Sequence, residues 1–123
     1  MIMDKITNIF GALSDPIRLR ILALIAHETE LCVCELVEAL EMSQPKISRH
    51  CRALNEANLV DSRREAQWVL YSIANDIPDW AKQSISAAIE GVKQDPQYAV
   101  DCERLKTVER PPVRCGLKEK EAC

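Results

Sequence analysis

Three residues, Glu41-Met42-Ser43, separate two stretches of helical periodicity, and that short break limits the possible folds more than any other feature of the chain. Upstream, the run Leu31 to Leu40 puts Val33, Leu36 and Leu40 on one apolar stripe and predicts a short helix beginning at Leu31. Downstream, Ile47, Cys51 and Leu54 recur three to four residues apart, which predicts a helix from Gln44 to about Asn55. The Ser43 hydroxyl can accept a bond from the N–H groups that open this second helix. Two amphipathic helices joined by so tight a turn form a helix-turn-helix.

The flanking segments extend this motif. Ile2, Ile6, Ile9, Phe10 and Leu13 fall at helical spacing, so a first helix should bury them along one stripe. Ser14-Asp15-Pro16 is a start signal, with Asp15 as cap and Pro16 at the first helical position. The second helix, Ile17 to about His27, should bury Leu19, Leu22, Ala23 and Ile25 or Ala26, leaving Arg18 and Arg20 for solvent. Between Leu59 and Ile73, two β-prone runs flank a charged tip and predict a hairpin. A last helix is expected from Trp80 to about Lys93, with Ala81, Ile85, Ala88, Ile89 and Val92 on its apolar side. From Asp95 onward, prolines and alternating charges leave little to pack apart from a short turn around Tyr98 to Leu105.

The expected fold is therefore mainly α with a small β-hairpin: a winged helix-turn-helix with helices 1–4, a two-stranded wing and a C-terminal dimerisation helix. Residues 1–94 should form the DNA-binding and dimerisation domain, and 95–123 a charged, Cys-containing flexible tail.

The 123-residue chain carries a formal net charge of -3, yet Ser43 to Leu54 contains Lys46, Arg49 and Arg52 and no acid. This helix would expose Gln44, Lys46, Ser48, Arg49 and Arg52, all able to bond a nucleic acid, while a basic hairpin follows the backbone. Gln44 suits adenine N6 and N7, and Arg49 or Arg52 suits guanine O6 and N7. Lys46, Ser48 and the wing arginines Arg63 and Arg64 suit phosphates, Ser43 and Gln67 are also expected at the DNA, and His50 is expected beside the DNA or supporting the helix. Double-stranded operator DNA is the expected partner. So small a module gains affinity by reading two half-sites as a homodimer.

Six cysteines, at 32, 34, 51, 102, 115 and 123, form no Cys-x-x-Cys pair, which argues against a zinc finger or a thioredoxin-type site. The N-terminus has no signal-peptide pattern, and the apolar run Ile21 to Ala26 is far shorter than a membrane span. A cytoplasmic protein with reduced thiols and no membrane partner is expected. Only three glycines are present, with no phosphate cradle and no βαβ pattern, so an enzyme such as a thiol oxidoreductase is the weakest alternative.

Ala12-Leu13-Ser14-Asp15-Pro16-Ile17-Arg18-Leu19, Glu30-Leu31-Cys32-Val33-Cys34-Glu35-Leu36, Ser43-Gln44-Pro45-Lys46-Ile47-Ser48-Arg49-His50 and the wing from Arg63 to Val69 strongly resemble the ArsR/SmtB family of metal-responsive repressors, in its arsenic-sensing branch. The resemblance covers roughly residues 6–92. It implies a homodimeric repressor of an arsenic-resistance operon, with no obligatory cofactor, that leaves its operator when trivalent arsenic or antimony binds Cys32 and Cys34. Where the similar arsenic sensors carry a third cysteine, this chain has Val37. No cysteine precedes Cys32, as it would in the cadmium and lead sensors, and the last helix lacks the ligand set of the zinc and cobalt sensors. A redox-sensing or cadmium/lead-sensing repressor of the same fold is the alternative.

Trivalent arsenic is soft and prefers sulfur, usually three sulfurs in a pyramid. On a regular helix, residues two apart sit roughly 200° apart around the axis, so closing Cys32 and Cys34 on one ion should require an unwound first turn. For a third ligand, Cys102, Cys115 and Cys123 are candidates, along with a small external thiol. Cys51, next to Ile47 and Leu54, is expected in the core.

Overall fold

Residues 1–112 are described by the computed structural model, which contains α1 (Ile2–Leu13), α2 (Pro16–Glu28), β1 (Glu30–Cys32), α3 (Val33–Leu40), α4 (Gln44–Glu56), β2 (Val60–Glu65), β3 (Trp68–Ile73), α5 (Asp79–Val92) and α6 (Pro96–Thr107). Asp15 Oδ1 accepts the N–H groups of Ile17 at 2.8 Å and Arg18 at 3.1 Å, so α2 begins at Pro16 as the sequence requires. Ile21, Leu22, Leu24 and Ile25 of α2 are all fully buried, which makes it the central helix. Helices α1, α4, α5 and α6 and strands β1 and β3 pack against it. Cys51 lies in this core, and burial pushes its thiol up to about 12.

Two expectations about α1 and α2 change. Ile9, Ala12 and Leu13 are buried, but Ile2 and Phe10 are 72% and 51% exposed. Arg18 and Arg20 do not simply reach into solvent. Arg18 Nε donates to Ala12 O at 2.8 Å across the α1–α2 corner, and Arg20 holds Asp101 of α6.

The segment from Leu31 does not start as a helix. Thr29 takes a left-handed φ of 78° and ends α2, and Glu30 to Cys32 then pair antiparallel with β3 in the register Glu30↔Ser72, Leu31↔Tyr71 and Cys32↔Leu70. The wing is thus two strands of a three-stranded sheet, ordered β1-β3-β2. Pairing prevails because Leu31, with no solvent exposure, meets β3 against the core. At the wing tip Glu65 faces Trp68, so the turn has two residues, with Ala66 at φ 54° in the left-handed region.

Past Asp95 the expected mobile tail gives way to a docked helix over 96–107. Asp95 Oδ1 caps it through Gln97 N at 2.9 Å, with Pro96 at the first position. Asp101 is 1% exposed and takes Nε and Nη2 of Arg20, both at 2.9 Å, and Gln97 Nε2 at 2.9 Å. Leu105 enters the core, Arg104 reaches Glu41 at 3.3 Å, and Arg110 reaches Glu28 at 2.9 Å. Cys115 and Cys123 lie outside the described residues. Among the described residues no helix is long and apolar enough to cross a membrane.

Phe10, Leu13, Leu19, Ala88, Val92 and Tyr98 line a groove of about 970 Å³ between α1, α2, α5 and α6. With Ile2 and Met3 also exposed on α1, this side of the molecule carries its main uncovered apolar surface among the described residues.

Candidate nucleic-acid interface and thiol cleft

Ser43, the N-cap of α4, accepts from Lys46 N at 3.4 Å. Since α4 buries Ile47, Cys51 and Leu54, helical geometry turns Gln44, Arg49 and Arg52 outward, with Lys46 and Ser48 half-buried at the edges. This matches the face expected from the spacing. His50, expected beside the DNA or supporting the helix, is only 8% exposed. Its Nδ1 lies 3.4 Å from Arg18 Nη1, an arrangement in which the guanidinium donates and a neutral imidazole accepts. Burial, together with the charges of Arg18, Arg49 and Lys46, holds the imidazole below its ordinary pKa against the opposing pull of Asp15. His50 therefore joins α4 to α2 rather than facing DNA. The signal was in the sequence, because His50 sits three residues after Ile47 and four before Leu54, on the inner stripe.

The wing arginines divide as well. Arg64 and Gln67 are exposed near the tip. Arg63 is turned to Glu30, with Nε 2.7 Å from Oε2 and Nη2 3.0 Å from Oε1, and it also pairs with Glu65. Its expected place on a phosphate is taken by these carboxylates. Without β1, nothing in the sequence placed Glu30 beside the wing.

The thiol pair sits where β1 becomes α3. Cys32 is the N-cap, in extended conformation with φ -78° and ψ 151°, and Cys34 is the second residue of the helix. Because Cys32 lies outside the helix, the roughly 200° separation does not apply. Cys34 N donates to Cys32 Sγ at 3.3 Å, and the two sulfurs are 2.7 Å apart. No unwinding is needed to bring them together. Glu35 Oε1 completes a capping box by accepting Cys32 N at 2.8 Å. Loss of surrounding water, followed by the hydrogen bond with Cys32, raises the Cys34 thiol above its ordinary pKa, so it rests protonated.

Cys32 and Cys34 open onto a cleft of about 590 Å³ whose other walls are α4 and the wing. Gln44, Ser48 and Arg52 line it from α4, and Arg64, Gln67 and Trp68 from the wing. Val37, one turn beyond Cys34, lines it too. Among the described residues, no group of three or more His, Cys, Asp or Glu side chains is placed to hold a metal ion, so Cys102 on α6 does not complete a triad with the pair. One cavity thus joins the two thiols to five of the side chains expected to touch DNA.

Residues 15–62 match the family described as bacterial regulatory protein, arsR family. Over 113 residues the chain is 44% identical to the arsenic resistance transcriptional regulator ArsR1 of Pseudomonas putida, which covers 88% of this chain and 85% of that protein. It is 45% identical over 81 residues to the arsenical resistance operon repressor of Escherichia coli, covering 66% of this chain and 69% of that one. Among solved structures it is similar to the homodimeric winged helix-turn-helix DNA-binding domain Mb0332 of Mycobacterium bovis, with a TM-score of 0.61 at 25% identity over 89% of this chain and 90% of that one.

Proposed function

The chain belongs to the arsR family of bacterial regulatory proteins, and on that premise we propose that it binds operator DNA as a homodimer, represses an arsenic-resistance operon, and leaves the operator when Cys32 and Cys34 capture trivalent arsenic or antimony. Its family is one of regulators, not enzymes. Gln44, Arg49 and Arg52 read base edges, while Lys46, Ser48, Arg64 and Gln67 hold phosphates. The groove and exposed face of α1 and α5 meet their copies across the dimer axis, setting the spacing of the two half-sites.

The observation that carries this reading is the shared cleft. A ligand bound to both sulfurs lies between α3, α4 and the wing, against Gln44, Ser48, Arg52 and Arg64. In the capture of As(OH)3, each thiol forms one As–S bond and one As–O bond breaks, the hydroxide leaving as water with the thiol proton. Arsenic stays trivalent. The cleft then holds an occupant that α4 and the wing must accommodate, and their DNA-bound arrangement becomes less favourable. A hundredfold loss of operator affinity requires the ligand to favour the released state by about 2.7 kcal/mol, an amount two metalloid–thiolate bonds readily supply.

Titration of the reduced protein on a fluorescent duplex from its own promoter region tests this. Arsenite should release the wild-type chain and leave the Cys32→Ser, Cys34→Ser double variant bound. Release of that variant at the same arsenite concentration would overturn the reading. The closeness of the sulfurs also favours a second reading, in which peroxide joins them as a disulfide. Release by peroxide, with no response to arsenite under reducing conditions, would select it.

A further inference from the structure

Strand β3 separates the strand that carries Cys32 from the outer strand of the wing, so β1 and β2 share no backbone ladder and lie about 10 Å apart. Arg63 crosses that gap. Its side chain passes over β3 to the Glu30 carboxylate, which is 9% exposed, while Glu65 holds the same guanidinium from its own strand. The register places this bridge at a particular point. Cys32, Leu70 and Arg63 lie opposite one another in a single row across the three strands, and opposed residues share a sheet face. That row is the last that β1 provides toward the wing tip. In the next two, Arg64 faces Val69 and Glu65 faces Trp68 with no residue of β1 beside them, so the hairpin overhangs the sheet beyond Arg63. Arg63 thus stands at the root of the overhang, tied to a residue two positions before Cys32.

We infer that Arg63 and Glu30 are the positioning pair that couples inducer capture to the wing, so that Arg63 serves the response to inducer and not the grip on DNA. The inference rests on the reading that Cys32 and Cys34 capture the inducer, and deepens it. An atom bonded to both sulfurs, which stand 2.7 Å apart at rest, parts them and shifts the end of β1. A shift of under about 1 Å at an effector site suffices when the elements beyond it move as a unit. With the bridge in place the root of the wing follows β1, and a ligand that favours a new position for Cys32 also favours a new position for Arg64 and Gln67 on the overhang. Without the bridge, the hairpin can keep its DNA-bound orientation while β1 shifts. The α4 wall of the cleft then carries what coupling is left.

The experiment uses the full reduced chain on its promoter duplex. Operator Kd is measured with and without saturating arsenite, and calorimetry gives the arsenite affinity of the DNA-free chain. By linkage, the ratio of the two operator constants equals the factor by which DNA weakens arsenite binding, so it isolates the coupling from either affinity. Arg63→Gln and Glu30→Ala are each expected to lower this ratio by at least about fivefold, with arsenite affinity of the free chain staying close to wild type. Arg64→Gln, in the first row of the overhang, should weaken operator binding with and without arsenite alike and leave the ratio where it was. Arg63→Lys, which keeps the charge and gives up the paired contact, should return part of the lost ratio. A merely structural role would move the melting temperature and both operator constants together. A fall in the ratio of less than about fivefold in either variant that folds overturns the inference. So does a fall in free-chain arsenite affinity that matches the fall in the ratio, because the pair would then only support the thiols. Where Arg63→Gln does not fold, Glu30→Ala decides, since it leaves the Arg63–Glu65 pair in place. Wild-type operator binding that ignores arsenite would instead remove the underlying reading and this inference together.

Discussion

Arg63 grips Glu30 with two nitrogens, Nε 2.7 Å from Oε2 and Nη2 3.0 Å from Oε1. This pairing fastens β2 of the wing to β1, two residues before Cys32, and Glu30 is the first cause of the raised Arg63 pKa. Wing and thiol strand are thereby held as one body.

Arg63 and Arg64 should consequently behave differently on DNA. Arg64→Ala is expected to weaken operator binding and to flatten its salt dependence, the slope of log K against log salt falling by about 0.9 for each phosphate that is no longer neutralised. Arg63→Ala should weaken binding with the slope unchanged and lower folding stability by about 1–2 kcal/mol, because its charge-assisted hydrogen bonds are removed. Binding isotherms at several salt concentrations, with urea melts alongside, check both.

Two buried titratable groups should bend the stability–pH curve in opposite directions. Burial raises the Glu35 carboxyl from 4.5 to about 7, although Cys32 N–H and the Arg110 charge pull it down. The folded state therefore binds the extra proton, and stability is full below about pH 4.5 and lost as pH rises through about 7. Glu35→Gln keeps an acceptor for Cys32 N–H, should lack this loss, and should be more stable than wild type at pH 8. His50 is held below its ordinary 6.5, so its contribution is present above that value and lost as pH falls through the lowered one. His50→Gln should flatten this acid-side loss. Urea midpoints between pH 4 and 9 measure both effects.

Docking of α6 depends on Asp101 and Arg20, with side chains 1% and 20% exposed. Asp101→Ala leaves the guanidinium without its carboxylate and should cost about 3–5 kcal/mol. A loose appendage would show no such cost. Thermal melts and limited proteolysis within 96–107 distinguish the two.

Phe10 stands 51% exposed at the apolar groove. Phe10→Glu should leave the monomer fold intact, shift the protein to monomer in sedimentation, and lower operator affinity at least tenfold because one half-site alone remains engaged.

The parts legible in the sequence are those with local causes. Asp15-Pro16 and Ser43 announce helix starts, and Ile47, Cys51 and Leu54 mark the inner face of α4 without reference to anything else in the chain. What escaped depends on distant partners. A three-residue strand at Glu30–Cys32 has no pattern of its own and exists because β3 can pair on both edges. The tail helix has a thin apolar stripe, and the Arg20–Asp101 pair that fixes it joins residues with no visible relation in sequence. Both misses fall on the thiol site and its support, since β1 brings Cys32 out of the helix and α6 packs on α3.

The position of Cys32, last in its strand and cap of its helix, also bears on sensitivity. A chelating pair that must first be assembled spends part of its binding energy on that rearrangement, and its apparent affinity falls by the fraction of time it is ready. Here the two thiols already lie side by side at rest, so the capture proposed for them would need little rearrangement of the chain. On the proposed function, such a sensor would respond at a lower dose of inducer than one whose thiols must first be brought together.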